Sequence, residues 1–218
     1  MNLDEDGFGS FSLALPSSLT DELCAGVFVA ERAGSRCLLH VGAVANAAKQ
    51  VREALSDAGY LTRAAVAIQA IAFDKTPATN WKVPWHQDVL FPFAEKVTAA
   101  GYDQACVKDG VDFARPPLTV LESMLAVRVH LDDCGADNGA LRVAPGSHRL
   151  GILKGAEIAS SVSVCGERVC SAKAGVALLM KPLLLHASSP ATSPRHRRVL
   201  HLVYYDGPPV AERWHRVV

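Results

Sequence analysis

The chain has 218 residues, with 22 lysines and arginines against 22 aspartates and glutamates, and half of its residues are hydrophobic. A chain of this length buries about 70% of the surface it exposes when unfolded, so it needs no disulfide framework or structural metal in order to fold. The hydrophobic content excludes a largely disordered chain. The formal net charge of +0 offers no basic face to a nucleic acid. The size fits one domain over residues 1–218, a monomer or weak homodimer.

The opening MNLDEDGFGS is acidic and lacks the basic start of a signal peptide. Apolar runs such as VALLM stop far short of the ~20 residues of a membrane span. Six cysteines are scattered and none forms CxxC. Cys165 and Cys170 flank a GERV turn, either as cross-strand disulfide partners or as free thiols, and free thiols are the expectation for a reducing compartment. A cytoplasmic location with no membrane partner follows.

In chain order, Thr20-Asp21-Glu22 caps a short helix running to about Glu31. Val44 to Ala58 places Val44, Ala47, Ala48, Val51, Ala54 and Leu55 at three- and four-residue steps, a helical stripe stopped by Gly59. Ala64 to Phe73 then reads as a buried strand. Lys75 to Pro84 is irregular, Pro84 to Leu90 is extended, and Pro92 to Pro117 reads as a loop-like insertion. Leu118 to Leu131 opens with a turn or short helix and ends in the strand LAVRVHL. A turn-rich segment from Asp132 to Ser147 contains the short strand LRVA. Ile158 to Cys170 alternates loosely as a strand, Val176 to Leu185 is apolar, and Arg198 to Tyr205 is a final strand. About eight short strands behind one or two helices, without a βαβ rhythm, predict an antiparallel barrel or sandwich.

The sharpest local pattern is Trp81 to Asp88, WKVPWHQD. In an extended chain His86 and Asp88 point the same way and bring a nitrogen and a carboxylate oxygen toward one point. Alone, such a pair also suits a loop histidine and a surface aspartate. His186, which ends the apolar run VALLMKPLLL, adds a second imidazole. Two histidines and one carboxylate form the facial triad of non-haem Fe(II), and zinc accepts the same ligands. The run Arg195-His196-Arg197-Arg198 opens the last strand, whose one face carries Arg197, Val199, His201, Val203 and Tyr205. If that face is internal, Arg197 is a buried guanidinium that requires an anion, and its planar fork matches a carboxylate. Strand parity puts Arg128 on a face with His130 and Asp132, either entering the pocket as a second positive handle or pairing at the surface. Asn80 and Lys82 share parity with His86 at the mouth of the barrel. Tyr60, Phe73 and Phe91 read as core.

WHQD, then LDDCGADNGALRVAPGSHR, then HASSPATSPRHRRVLHL resemble the phytanoyl-CoA dioxygenase family of Fe(II)/2-oxoglutarate oxygenases, over about Ala64 to Tyr205. The resemblance implies a mainly β fold with supporting N-terminal helices, a double-stranded β-helix (jelly-roll, cupin-like barrel). It implies His86, Asp88 and His186 as iron ligands and Arg197, eleven residues after His186, as the partner of the distal carboxylate of 2-oxoglutarate. Ser188, Gln87 and Lys75 would lie near that cosubstrate, and the DNG turn and PGSHR stretch would be structural loops. Arg128, a further candidate for binding the cosubstrate, stands where many members carry Trp. The expected activity is hydroxylation of a small, partly apolar or anionic molecule with Fe(II), 2-oxoglutarate and O2. Asp88 disfavours chlorination, which needs that ligand replaced by a small residue. A zinc-dependent hydrolase or isomerase on a cupin-like barrel, or a non-catalytic metabolite-binding barrel, are the alternatives. The Pro92–Pro117 segment is the expected lid, with Gly101 and Gly110 as pivots.

Overall fold

A computed structural model describes residues 2–29, 32, 34–193 and 195–218. Helix α1 (Leu3–Asp6) and strand β1 (Phe8–Ser12) lead into α2 (Ser17–Gly26), β2 (Gly34–Ser35) and α3 (Gly42–Asp57). Then come β3 (Val66–Asp74), β4 (Val83–His86), β5 (Phe91–Phe93), β6 (Asp103–Lys108), β7 (Val111–Arg115), α4 (Leu118–Glu122) and β8 (Met124–His130). The chain closes with β9 (Leu141–Val143), α5 (Ala156–Cys165), β10 (Arg168–Cys170), β11 (Val176–Met180), β12 (His186–Ser188) and β13 (Arg198–Tyr205).

Six strands form one sheet in the order β1-β11-β8-β13-β3-β2, and four form a second in the order β10-β9-β12-β4. All their pairings are antiparallel. This is the double-stranded β-helix, with the larger sheet facing the smaller one across the barrel interior. Alternation along β13 sorts its residues. Leu200, Leu202 and Tyr204 turn outward to the α2 and α3 stripe, Leu23, Val44, Ala47, Val51 and Leu55. Val203 and Tyr205 turn inward to Phe8, Phe91, Phe93 and Met124. The Tyr204 hydroxyl crosses between the layers and donates to the carbonyl of Ala48 at 2.7 Å. Gly59, at φ 79, ends the helix as the sequence indicates.

Three expectations are corrected. The segment from Pro92 to Pro117 is a third sheet, β5-β7-β6, and not a loop. Its β6–β7 hairpin turns on Asp109 and Gly110, both at positive φ (51 and 76), the two-residue geometry that Asp-Gly favours because its twist matches that of the strands. Phe91, Phe93 and Ala114 plug the apolar end of the barrel, and the outer strand β6 is largely exposed. Ile158 to Cys165 belongs to helix α5, in which no residue is buried, and only Arg168–Cys170 is a strand. Cys165 and Cys170 are therefore a helix end and a strand end, and both are free thiols. Helix α2 begins at Ser17 behind Pro16 and ends at Gly26; Glu31, its expected end, lies outside the described residues.

With Gly110 at left-handed φ, Gly110→Val should cost about 1–2 kcal/mol from the Cβ–carbonyl clash. We expect a lower urea midpoint together with unchanged 2-oxoglutarate binding, because no residue of β5, β6 or β7 lines the cavity described next. Weakened binding in a folded variant would restore this segment as a lid.

Candidate active site

The smaller sheet places the two histidines face to face. His86 ends β4 and His186 begins β12, and they are Cα partners across that pair. Directly opposed residues bring their side chains together, and here the ring centroids lie 4.2 Å apart. Asp88 follows β4 and is held by its N–H to the carbonyl of Pro182 at 2.9 Å. One ligand atom from each of His86, Asp88 and His186 lies within 4.8 Å of the others. Asp88 Oδ1 is 3.7 Å from His86 Nε2, and its Oδ2 is 3.6 Å from His186 Nε2.

Both rings are aimed by their own backbone. His86 Nδ1 donates to the carbonyl of Pro84 and His186 Nδ1 to that of Leu184, each at 2.9 Å. With the proton on Nδ1, each Nε2 presents a lone pair toward Asp88, the tautomer that a metal requires. Burial pushes the His186 pKa down to about 4. Burial also acts to raise Asp88, but His186, His201, His86 and Arg128 outweigh it and hold the carboxyl at about 2. Asp88 is therefore a carboxylate at neutral pH, and the donor set fits a divalent cation.

His201 lies on the inner face of β13, as strand alternation indicates, and lines the cavity. Its Nε2 lies 3.7 Å from Asp88 Oδ2, and its Nδ1 faces Arg128 Nη1 at 3.5 Å. A guanidinium only donates, so Nδ1 accepts and the proton sits on Nε2, toward the carboxylate. Its spacing of four residues from Arg197 along an alternating strand was the signal available.

The basic run at the start of β13 divides by partner. Arg195 pairs with Asp137, and Arg198 forks onto Asp132 through Nε at 2.8 Å and Nη2 at 2.7 Å. Arg197, 3% exposed, has no carboxylate within ion-pair reach among the described residues. Its Nη1 donates to the carbonyl of Gly139 and to Ser188 Oγ, and its Nε has no partner. Lys75 Nζ donates to Ser188 Oγ at 2.8 Å and to the Ser189 carbonyl. Burial, with Arg197 adding to it, takes its pKa down to about 8. The DNG turn is structural here: a Cβ at Gly139 would stand 2.9 Å from the Ser189 carbonyl and 3.1 Å from Lys75 Nζ.

A cavity of about 170 Å³ joins these groups. The triad, Arg128, Ser188, Arg197 and His201 line it, with Ile71, Phe73, Trp81, Val83 and Leu141 as its apolar wall. Phe73 thus belongs to the pocket and not to the core. Trp81 faces the cavity, whereas Lys82 is exposed and Asn80 is tied to Ala191 through both its amide atoms. Gln87, one residue out of phase with the two ligands, turns away from the cavity. Its amide donates to the carbonyls of Gly151 and Leu183 and accepts from Leu153 N–H, bracing the ligand-bearing strand. PGSHR holds the N-terminus, since Gly146 N–H and Arg149 bond the carbonyls of Asp6 and Asp4.

Burial lowers His130 and His186 to about 4 and His201 to about 3, below the ordinary 6.5. Their contribution to stability is complete above the ordinary value and is lost as pH falls toward the folded values, because the unfolded chain binds these protons first. Near pH 5 the metal-free protein should lose stability at roughly 4 kcal/mol per pH unit if all three protons are taken up. Urea unfolding from pH 7 to 4 checks the slope; a flat profile would contradict neutral buried imidazoles.

The sequence profile described as phytanoyl-CoA dioxygenase (PhyH) matches residues 19–199. No curated protein matches significantly. Among solved structures, AviO1 from Streptomyces viridochromogenes Tue57 is similar in fold, at TM-score 0.66 and 19% identity, covering 95% of this chain and 94% of that one. EctD from S. alaskensis, solved with 2-oxoglutarate and 5-hydroxyectoine, gives TM-score 0.66 and 19% identity over 93% of this chain and 73% of its own. The epimerase SnoN, solved with Fe3+, alpha ketoglutarate and nogalamycin RO, gives TM-score 0.64 and 15% identity over 94% and 80%. The match spans most of the chain, including His86, Asp88, His186 and Arg197, and the chain therefore belongs to the phytanoyl-CoA dioxygenase family of Fe(II)- and 2-oxoglutarate-dependent oxygenases.

Proposed function

We propose that this chain hydroxylates a small organic molecule, with His86, Asp88 and His186 holding Fe(II) and Arg197 binding the distal carboxylate of 2-oxoglutarate. The observation that carries this reading is a convergent His-Asp-His set and an acid-free buried guanidinium in one cavity. Ser188 stands beside Arg197 at this end of the cavity, its hydroxyl accepting from Arg197 Nη1 and from Lys75 Nζ, and Lys75 supports it from behind the cavity lining. When bound, iron and cosubstrate supply O2 activation: one oxygen atom enters succinate as CO2 leaves, and the other enters a substrate C–H bond as hydroxyl.

The chain's own residues orient and exclude. The backbone carbonyls of Pro84 and Leu184 fix both imidazoles, and His201 presents an N–H to the side of Asp88 that it shares with His186. The aromatic and aliphatic wall keeps water from the reacting carbon. A zinc hydrolase would use the same three ligands but leaves Arg197 without an anion. We further propose that residues 1–218 act as one domain, cytoplasmic and monomeric or weakly dimeric. No helix among the described residues is long and apolar enough to cross a membrane, and nothing in the net charge favours a nucleic-acid partner.

Anaerobic addition of Fe(II) and 2-oxoglutarate should produce the visible charge-transfer band of the chelate. Asp88→Ala should abolish it in a folded protein. Arg197→Ala should weaken 2-oxoglutarate by about 2–5 kcal/mol, and Arg197→Lys by less, since lysine keeps the charge but loses the fork. Retained zinc with no such band would favour the hydrolase, and unchanged cosubstrate affinity in Arg197→Ala would move the grip to another cation.

A further inference from the structure

One strong handle in the cavity is not used by the reading above. Arg128 lies at the centre of β8, between β11 and β13 in the larger sheet, and is 7% exposed. Its guanidinium enters the cavity 5.5 Å over the ring of Phe73. Its Nη1 reaches His201 at 3.5 Å, a long contact, and its Nε has no partner. Asp132, two strand positions beyond His130, is fully engaged by Arg198 and leaves Arg128 alone. Among the described residues no carboxylate lies within ion-pair distance of Arg128. A buried, hydrogen-bond-deficient guanidinium is costly unless an anion meets it.

The charges show whose anion that is. Asp88 and the 2-oxoglutarate dianion bring three negative charges, which a metal dication and Arg197 match. Lys75 shares the Ser188 end of the site and does not line the cavity. Arg128 remains over, on the side of His201 and Phe73, next to the apolar wall of Ile71 and Trp81.

We propose, resting on the reading above, that the substrate is a small carboxylic acid with an apolar body, whose carboxylate is received by Arg128. The body would lie against Phe73, Trp81 and the aliphatic wall, and Arg128 would fix which carbon faces the metal side of the cavity. Arg128 is then the residue that sets substrate class.

The test uses protein loaded anaerobically with Zn(II) and 2-oxoglutarate, which does not turn over. Butyrate, hexanoate and phenylacetate are titrated by calorimetry, each beside its primary amide. At least one acid should bind about tenfold or more tightly than its amide, the difference a charge-assisted fork makes. Arg128→Met should erase that preference while changing 2-oxoglutarate affinity by less than about twofold, and Arg128→Lys should keep part of it. If Arg128→Met does not fold, the Lys variant and the acid–amide comparison in the unaltered protein still decide. Equal binding of acids and amides, a preference that survives in Arg128→Met, or a loss of 2-oxoglutarate as large as in Arg197→Met would each overturn the inference. Failure of the unaltered protein to bind 2-oxoglutarate at all would instead remove the proposed function on which it rests.

Discussion

The register of β13 between β3 and β8 decides what lies inside this barrel. Side chains alternate with a period of two, so a slip of one residue would send Arg197 and His201 toward the helices and Leu200 and Leu202 into the cavity. Polar contacts at both ends of the strand pin that register. At its start Arg198 clamps Asp132 at the end of β8, while Asp74 at the end of β3 accepts from Arg197 N–H at 3.1 Å. Near its end the buried Tyr204 hydroxyl locks onto helix α3. These contacts matter less for their net energy than for the alternatives they exclude, since each would leave buried groups unpartnered if the strand moved.

Given that register, the interior divides along its length. One end is apolar and closed by the third sheet; the other is a polar chamber with imidazoles, a carboxylate and two guanidiniums. The chamber is organised by the backbone that surrounds it. The imidazoles are oriented by carbonyls two residues upstream, Gln87 braces the chain between His86 and Asp88, and the DNG turn supplies a carbonyl to both Arg197 and Ser188. Little of this depends on flexible side chains finding one another, which is the condition for precise positioning of reactive groups.

Much of the site is legible in the sequence because it rests on strand parity. The pairing of His86 with Asp88 and the inward face holding Arg197 follow from a two-residue period, whereas His186 is marked by closing an apolar run and joined to them by the family resemblance. Gln87 shows the limit of resemblance: parity already turns it away from its neighbours, and its amide is spent on loops. The three-stranded sheet is hard to read from the sequence because β6 is mostly exposed, so hydropathy does not reveal it where the Asp-Gly turn does. Helix α5 is obscured for the opposite reason. Its serine–valine alternation mimics a strand, but no sheet face is available to bury those valines, and Glu157 accepts the Lys154 N–H at the helix start. The pocket roles of Phe73, Trp81 and His201 depend on how strands from two sheets face each other, which no local pattern carries.

Strand β3 contains one residue more than its partner requires: Gln69 pairs with Val203 and Ala67 with Tyr204, which leaves Ile68 as a bulge. That extra residue lets one strand serve two compartments, with Ile68 in the apolar plug and Ile71 and Phe73 in the chamber wall. The barrel therefore has unequal tolerance for changes in chain length. The exposed tip at Asp109-Gly110 can lengthen or shorten at the cost of a turn. A single deletion at Ile68 would take a side chain out of the apolar plug and leave Ile71 and Phe73 facing the chamber. New pocket shapes in this chain are thus more accessible through substitution along β3 than through any change in its length.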